Sequence, residues 1–151
     1  MTANPYSRLI SLAVNSENIF HFPEGLPAFE NVRDFVLIHK QETTPFVYLQ
    51  ALDPGDLSFV CIDPFGIHPE YEPTISQRDV NFLKLDGQHN LLILSIATIT
   101  PDVQNITMNL QGPIAINMQT RIGKQVICIG QEYPVRFRIW DALNNIERKE
   151  Q

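Results

Sequence analysis

The fold of this 151-residue chain is constrained most by short runs of alternating apolar and polar residues, which proline, glycine, aspartate or asparagine interrupt. The segment from Ile106 to Asn117 shows the pattern in full, because its alternation stops at Gly112 and Pro113 and then starts again. Alternation with a period of two is typical of a half-buried strand, and a Gly-Pro step marks a turn. We therefore predict an all-β fold, a single β-barrel-like domain of short antiparallel strands with one or two short helices.

Ten segments fit the strand pattern, and most of the 11 prolines fall at their ends, where a missing backbone donor harms a sheet least. The predicted strands are Arg8–Val14, Ile19–Phe22, Phe35–Lys40, Phe46–Ala51, Ser58–Ile62, Leu91–Thr98, Ile106–Leu110, Ile114–Asn117, Gln125–Ile129 and Val135–Ile139.

Two segments fit helices instead. Ser76 and Asp79 have the spacing of a capping box, which predicts a short helix that ends near Leu85. Asp141 is the predicted cap of a C-terminal helix over residues 140–151. The apolar side of that helix would consist of Ile139, Leu143 and Ile146.

The composition indicates one globular domain over residues 1–151. The chain is 44% hydrophobic and 19% charged, and it contains no linker, repeat or low-complexity stretch. The longest apolar runs, among them Leu91–Leu94, are too short to span a membrane, and residues 1–5 lack the pattern of a secretion signal. We therefore expect a cytoplasmic protein that makes no membrane contact.

The residues that usually carry metal or covalent chemistry form no motif. Cys61 and Cys128 lie in apolar strand-like runs, which favours buried structural thiols. The four histidines are scattered, and the sequence lacks a nucleophile elbow, a P-loop and a dinucleotide fingerprint. We expect no cofactor, no metal and no enzymatic activity, with an unrecognised hydrolase as the alternative.

The net charge of −6 comes from one segment. No lysine or arginine occurs between Lys40 and Arg78, and the other 11 of the 17 acids are balanced by 11 basic residues. Two interpretations remain open: a solvated face that keeps the protein soluble, or an electronegative surface that steers a basic partner. Direct binding of nucleic acid is disfavoured, because phosphates need a concentrated basic surface. The acids of this segment are Glu42, Asp53, Asp56, Asp63, Glu70 and Glu72.

Several motifs, taken together and in order, resemble the flagellar assembly factor FliW family. The most characteristic is the run Asn-Leu-Gln-Gly-Pro-Ile-Ala-Ile-Asn at residues 109–117, followed by Gly-Lys-Gln-Val at 123–126. Residues 22–29, Phe-Pro-Glu-Gly-Leu-Pro-Ala-Phe, are similar to the N-terminal element of the family, in which Gly25 and Pro27 set a turn. Residues 45–50, 57–60, 63–65 and 69–72 match further family segments.

The resemblance covers about residues 19–136 and has small departures. The family usually has glycine at the position of Ala28, large apolar residues are common at 66–68, and alanine is common at the position of Gly112. The resemblance implies a cytoplasmic β-barrel-like protein with two alternative partners. These are newly made flagellin, bound through its C-terminal region, and the carbon storage regulator CsrA, an RNA-binding dimer that represses flagellin translation.

The mechanism that the resemblance implies is a partner switch. Secretion of flagellin would free the protein to bind CsrA and so relieve the repression, by mass action and without chemistry. A small-molecule-binding β-barrel or a minor enzyme is the alternative, and a purely structural subunit is a third option.

We predict that the connection from Asp63 to Glu72 is an exposed, stiff loop that forms part of the partner surface. For the two aromatic residues of this connection, filling the core is an equal alternative. The predicted partner-binding residues are Asp63, Phe65, Glu70, Tyr71 and Glu72.

A second group of residues is predicted to be structural. Asn109 and Asn117 flank the turn at Pro113, where amide side chains can pair with backbone groups that the turn leaves open. A polar contact to flagellin is the alternative for the two asparagines. The predicted structural residues are Gly25, Pro27, Asn109, Pro113 and Asn117.

Overall fold

The computed structural model describes residues 10–14, 19–86 and 90–144. Within these ranges the chain forms nine strands and a few short helices. The strands are β1 (Phe20–His21), β2 (Asp34–His39), β3 (Val47–Ala51), β4 (Ser58–Ile62), β5 (Leu91–Thr98), β6 (Thr107–Met108), β7 (Ile114–Asn117), β8 (Ile122–Gln125) and β9 (Phe137–Arg138). The α-helices are α1 (residues 10–14), α2 (Pro64–Ile67), α3 (Gln77–Phe82) and α4 (residues 140–144).

Seven of the strands form a closed barrel. Their order is β4-β3-β2-β1-β8-β7-β5, and β5 pairs back onto β4 through Cys61 opposite Ile96. The ladders are antiparallel except between β1 and β8, where His21 pairs with Ile122 in parallel. The two remaining strands, β6 and β9, extend the end of β5 outside the barrel. The predicted all-β, barrel-like fold is confirmed.

The first predicted strand, Arg8–Val14, is wrong over its described part, because residues 10–14 are helical. Ala13 is buried in the barrel core, and Ile10 and Val14 pack against the same core. The spacing of these three residues, i, i+3 and i+4, is the period of an amphipathic helix. Residues 8 and 9 lie outside the described residues.

The predicted strand Gln125–Ile129 is displaced, since β8 is Ile122–Gln125. The chain after β8 still donates backbone hydrogen bonds, from Val126 to the Pro113 carbonyl at 2.9 Å and from Cys128 to the Gln111 carbonyl at 3.0 Å. Its partner there is the turn at 111–113, so no regular ladder forms. Strand β6 likewise covers only two residues of the predicted strand Ile106–Leu110.

Both predicted helices are present, with different ends. The Ser76 hydroxyl accepts a hydrogen bond from the Asp79 N–H at 3.1 Å, and the helix that it caps ends at Phe82, before Leu85. Asp141 lies inside α4 and is not its cap, because the Leu143 N–H already donates to the Ile139 carbonyl at 3.0 Å. The remaining predicted residue of that helix, at position 146, lies outside the described residues.

The chain has two apolar layers separated by the sheet. Leu92 and Leu94 of β5 point into the barrel, with Ile114 and Ile116 of β7. The alternate residues Leu91, Ile93 and Ala115 pack into an outer layer, which the segment around α2, part of α3 and β6 cover. Strand β5 is therefore buried on both faces, which explains the continuous apolar run Leu91–Leu94.

Candidate partner-binding surface

The connection from Asp63 to Glu72 begins with a helix, which corrects the prediction of an exposed loop. Asp63 caps α2: its Oδ1 accepts a hydrogen bond from the Phe65 N–H at 3.0 Å. Pro64 takes the first helical position, where no intrahelical donor is needed. Pro64 and Ile67 are buried, so the first half of the connection belongs to the outer layer.

Tyr71 lies in the core. Its side chain is 2% exposed, and its hydroxyl donates a hydrogen bond to the Leu110 carbonyl at 2.5 Å. Burial, together with the neighbouring Cys128 thiol, raises the pKa of the Tyr71 hydroxyl, so the group stays protonated and remains a donor. This position is the core alternative that the sequence left open. Phe65 is half-buried beside it, with the two ring centroids 5.6 Å apart.

Glu70 and Glu72 are exposed, on a backbone that is held in place. The Gln131 side chain donates to the Glu72 carbonyl at 2.7 Å and accepts from the Thr74 N–H at 2.8 Å. The Tyr133 hydroxyl accepts from the Glu72 N–H at 3.1 Å. Neither carboxylate forms an ion pair with any residue in the described ranges. Two acidic side chains are therefore presented to solvent, and the hydrogen bonds hold the backbone at Glu72.

A depression of about 190 Å³ lies beside these acids. Its floor is the outer face of β5, at Leu91 and Ile93. Its walls come from the aromatic pair in the connection and from the segment after it, and include Phe65, Tyr71, Glu72, Pro73 and Ile75. A depression with a mixed polar and apolar lining thus lies beside the segment that the sequence predicted as a partner surface.

The six acids of the charged segment lie in different connections of the fold. Asp53 and Asp56 lie in the β3–β4 hairpin, at the Gln50 end of a ladder whose other end pairs Val47 with Cys61. Glu42 precedes β3, Asp63 follows β4, and Glu70 and Glu72 follow α2. The five residues of β4 give this ladder a length of about 17 Å. The acids of the segment are therefore spread over several connections, and both interpretations of the acidic segment stay open.

The turn at residues 26–29 explains why glycine is usual in the family at the position of Ala28. The Phe29 N–H donates to the Leu26 carbonyl at 2.7 Å, with Pro27 and Ala28 in the two central positions. Ala28 has φ of 70°, and a turn with proline first and positive φ second is of type II. Glycine is favoured at that second position, so Ala28 is strained.

Gly25 and Gly123 are required for close packing. Gly25 has φ of 64°, and a Cβ there would lie 2.6 Å from the Glu30 Cα. A Cβ on Gly123 would lie 2.5 Å from the ring of Phe22, which is fully buried. The two family motifs that these glycines belong to therefore touch each other inside the barrel.

Lys124 joins three parts of the chain. Its Nζ lies 2.7 Å from Asp79 of α3 and 3.4 Å from Glu24, and it also lies over the ring of Phe82. Burial lowers the pKa of Lys124, but the hydrogen bond to Asp79 and the charges of Asp79 and Glu24 raise it by more, so the net pKa is raised. The ammonium group therefore stays charged and ties α3 to the barrel.

Asn109 and Asn117 both form hydrogen bonds with the backbone. Asn109 accepts from the N–H groups of Gln111 at 3.0 Å and Gly112 at 2.8 Å, across the turn. Asn117, 3% exposed, donates to the Leu83 carbonyl at the end of α3 at 2.8 Å. These contacts support the predicted structural roles, which only substitution can test.

A second depression, of about 240 Å³, was not indicated by the sequence reasoning. Arg78, Lys124, Ile127 and Ile129 are among the residues that line it. The two isoleucines are 52% and 70% exposed, although we predicted them within a strand. The alternation around the buried Cys128 could have shown that they point outward.

Three general findings concern the described residues. No group of three or more histidine, cysteine, aspartate or glutamate side chains among them could hold a metal ion. No helix in the described ranges is both long and apolar enough to cross a bilayer. Burial raises the pKa of the Cys61 thiol to about 12, which makes it a poor nucleophile.

Comparison with known proteins shows which family the sequence motifs belong to. The sequence matches the model of a family described as FliW protein over residues 6–139. A flagellar assembly factor FliW from Caldicellulosiruptor bescii is 38% identical over 138 residues, which is 91% of this chain and 90% of that protein. Another, from Desulfitobacterium hafniense strain Y51, is 35% identical over 144 residues, or 95% of both chains.

The fold agrees with a solved structure. A crystal structure of the flagellar assembly factor FliW superposes with a TM-score of 0.75 at 33% sequence identity. The match covers 83% of this chain and 88% of that one. Sequence and structure thus point to the same family.

Proposed function

This chain belongs to the FliW family of flagellar assembly factors, and we propose that it works in the cytoplasm as a partner switch between flagellin and the translational repressor CsrA. Binding to flagellin would occupy the protein while flagellin accumulates. Export of flagellin would release it to bind CsrA and so relieve the repression of flagellin synthesis. Such a switch needs only competing equilibria, so it requires no catalytic group.

The observation that carries the CsrA half of this proposal is the exposed pair Glu70 and Glu72, with the backbone at Glu72 held by Gln131. An RNA-binding protein presents basic side chains, and complementary charges speed and orient its encounter with an acidic surface. No lysine or arginine lies between Lys40 and Arg78 to neutralise these acids from within the segment.

The test is a charge reversal with a matched control. The double variant Glu70→Lys and Glu72→Lys should fold normally and bind CsrA on the order of tenfold more weakly, since each rim charge contributes a few tenths to about 1 kcal/mol. The control carries Asp53→Lys and Asp56→Lys, the same change of charge at the far end of the β3–β4 ladder. Isothermal titration calorimetry of both folded variants measures the difference.

Each outcome decides between interpretations. Weaker binding by the first variant alone supports the surface at residues 63–72. Equal weakening by both means that only the total charge matters, and unchanged binding by both removes the assignment. A pull-down from cytosol, identified by mass spectrometry, tests independently whether flagellin and CsrA are the partners.

The small-molecule alternative gains no support from the described residues. The barrel interior is occupied by large apolar side chains, among them Phe20, Phe22, Phe35 and Leu49, each fully buried. A ligand-binding barrel needs an open interior, and the two depressions described above lie outside this one.

A further inference from the structure

The segment that follows β8 has one paired edge and one open edge. The N–H groups of Val126 and Cys128 donate to carbonyls of the turn at 111–113, at 2.9 and 3.0 Å. In an extended chain, successive N–H groups point in opposite directions, so those of Gln125 and Ile127 face away from this turn. The ladder between β1 and β8 on that side is one residue pair long and ends before Gln125. Within the described ranges, no backbone carbonyl accepts a hydrogen bond from Gln125 or Ile127.

The side chains along this open edge are apolar and exposed. Ile127 and Ile129 are both more than half exposed, beside the depression of about 240 Å³. Proteins normally protect an unpaired edge with charged side chains, prolines or a covering element, because an open edge pairs with other chains. The lysine of this segment, Lys124, is paired with Asp79 and does not give that protection. An open edge that carries isoleucines therefore has the features of a docking edge.

The same depression contains a cation without an ionic partner. The Arg78 side chain is exposed near the start of α3, and it forms no ion pair with any residue in the part of the chain that the structure describes. The other charged residues that line the depression, Lys124 and Asp79, are bonded to each other. The charge of Arg78 therefore favours an acidic group of a partner over the basic surface of an RNA-binding protein.

We propose that an extended segment of flagellin adds as a further strand to this edge. Its backbone carbonyls would accept hydrogen bonds from the N–H groups of Gln125 and Ile127. Apolar side chains at alternate positions of the segment would cover Ile127 and Ile129, and a carboxylate would pair with Arg78. Addition of a strand to an exposed sheet edge is a recurring way in which proteins bind peptides. The inference rests on the proposed function, because it gives the flagellin half of the switch a site apart from the acidic pair.

Charge and size select this occupant over the others. CsrA is basic as an RNA-binding protein, so Arg78 would repel it. A second copy of this chain, in a symmetric contact, would bring a second Arg78 and a further net charge of −6 to the interface. An apolar cavity of roughly 150 Å³ holds a benzene ring, so a depression of about 240 Å³ has room for one large side chain and not for a helix. The open edge itself must therefore hold most of the partner segment.

Amide hydrogen exchange, followed by NMR on the full chain with and without monomeric flagellin, tests the added strand directly. In the free protein, the amides of Val126 and Cys128 should exchange slowly and those of Gln125 and Ile127 fast. Flagellin should slow the exchange of Gln125 and Ile127 at least about tenfold and change that of the other two much less. A partner that only covers the isoleucine side chains would not produce this alternation.

A proline variant removes the donor on which the strand depends. Ile127→Pro deletes an N–H that is not bonded to a backbone carbonyl of the described residues, and it should weaken flagellin binding on the order of tenfold. Ile127→Val, which keeps the N–H and has a side chain of similar size to proline, is the matched control and should bind nearly as well as wild type. If Ile127→Pro does not fold, Arg78→Glu should weaken flagellin binding about threefold or more. Arg136→Glu, outside the depression, is its control.

The outcomes separate this inference from the proposed function. Alternating protection, with weaker binding by Ile127→Pro than by Ile127→Val, supports the added strand. If flagellin binds both variants equally and protects none of these amides, flagellin remains the partner and the edge assignment is overturned. Loss of CsrA binding in Ile127→Pro with flagellin binding kept, or a dimer in light scattering that Ile127→Pro dissociates, assigns the edge to a different occupant and also overturns the inference. If the wild-type chain does not bind flagellin, the flagellin half of the proposed function falls, and this inference falls with it.

Discussion

Replacing Asn117 with alanine tests most directly whether the two asparagines that flank the turn at Pro113 are structural. The Asn117 amide donates to the carbonyls of Leu83 and Lys84, at 2.8 and 3.2 Å. Its carbonyl oxygen accepts from the N–H groups of Gln119 and Thr120, at 2.9 and 3.3 Å. One side chain therefore fastens the end of α3 and the turn before β8 to the barrel.

The size of the effect follows from these four contacts. A hydrogen bond contributes about 1 kcal/mol net, so the two short bonds give about 2 kcal/mol and the two long ones less. Alanine would also leave the Leu83 carbonyl buried without its partner, which adds about 1 kcal/mol. We expect Asn117→Ala to lower the free energy of unfolding by about 3 kcal/mol. For a domain of this size that corresponds to a fall of about 6–12 °C in melting temperature.

Thermal and urea unfolding followed by circular dichroism measure this change. Asn109→Ala is the matched control: Asn109 only accepts, from two N–H groups in a partly exposed turn, so its loss should cost about 1 kcal/mol. Asn117→Asp keeps the acceptor but aims a carboxylate at two carbonyls, so it should destabilise at least as much as alanine. If Asn117→Ala leaves stability unchanged while flagellin binding collapses, the residue is a contact site and our reasoning is refuted.

Three further predictions concern stability and kinetics. Ala28→Gly should raise the free energy of unfolding by about 0.5–1 kcal/mol in urea titrations, since φ of 70° strains alanine; a lower midpoint would contradict this. Lys124→Met should cost about 2–4 kcal/mol, because it leaves Asp79, 7% exposed, without its ion-pair partner. The pKa of Lys124 is raised on folding, so the charged group adds to the free energy of unfolding in full below about pH 10.4. This contribution is lost as pH rises through the higher folded pKa. The difference in free energy of unfolding between wild type and Lys124→Met should therefore narrow only in that range. In stopped-flow measurements, added sodium chloride should slow association with CsrA much more than association with flagellin, because we expect flagellin binding to rest on apolar burial. Equal slowing of both would mean that the acidic segment only keeps the protein soluble.

The barrel could be predicted from the sequence because its signals are local. Strands Ser58–Ile62, Leu91–Thr98 and Ile114–Asn117 coincide with the predicted segments, since alternation or a continuous apolar run ends there at a turn residue. Strand β8 was misplaced because its inward position at Gly123 has no side chain, and the hydrophobic pattern does not register it. The apolar residue that fills this space is Phe22, about a hundred positions away in the chain.

The candidate site was only partly predictable, because it also depends on contacts between residues that are distant in the chain. The run without basic residues, together with the prolines of the connection at 63–72, made Glu70 and Glu72 candidates from sequence alone. The depression beside them depends on β5 being buried on both faces and on Tyr71 reaching the Leu110 carbonyl, which are contacts between distant segments. No spacing within residues 63–72 indicates that Tyr71 turns inward while its two acidic neighbours stay outside.

The division of the acids limits how strongly charge can guide a partner. Asp53 and Asp56 lie in the hairpin at one end of the β3–β4 ladder, whose length of about 17 Å is twice the Debye length of about 8 Å at physiological ionic strength. A basic protein that approaches Glu70 and Glu72 therefore encounters the field of the nearer acids and hardly that of the distant pair. The salt dependence of CsrA association should accordingly match three or four charges, not six. Since the Asp53 and Asp56 reversal leaves the nearer group intact, it should preserve most of that dependence, whereas the Glu70 and Glu72 reversal should remove most of it.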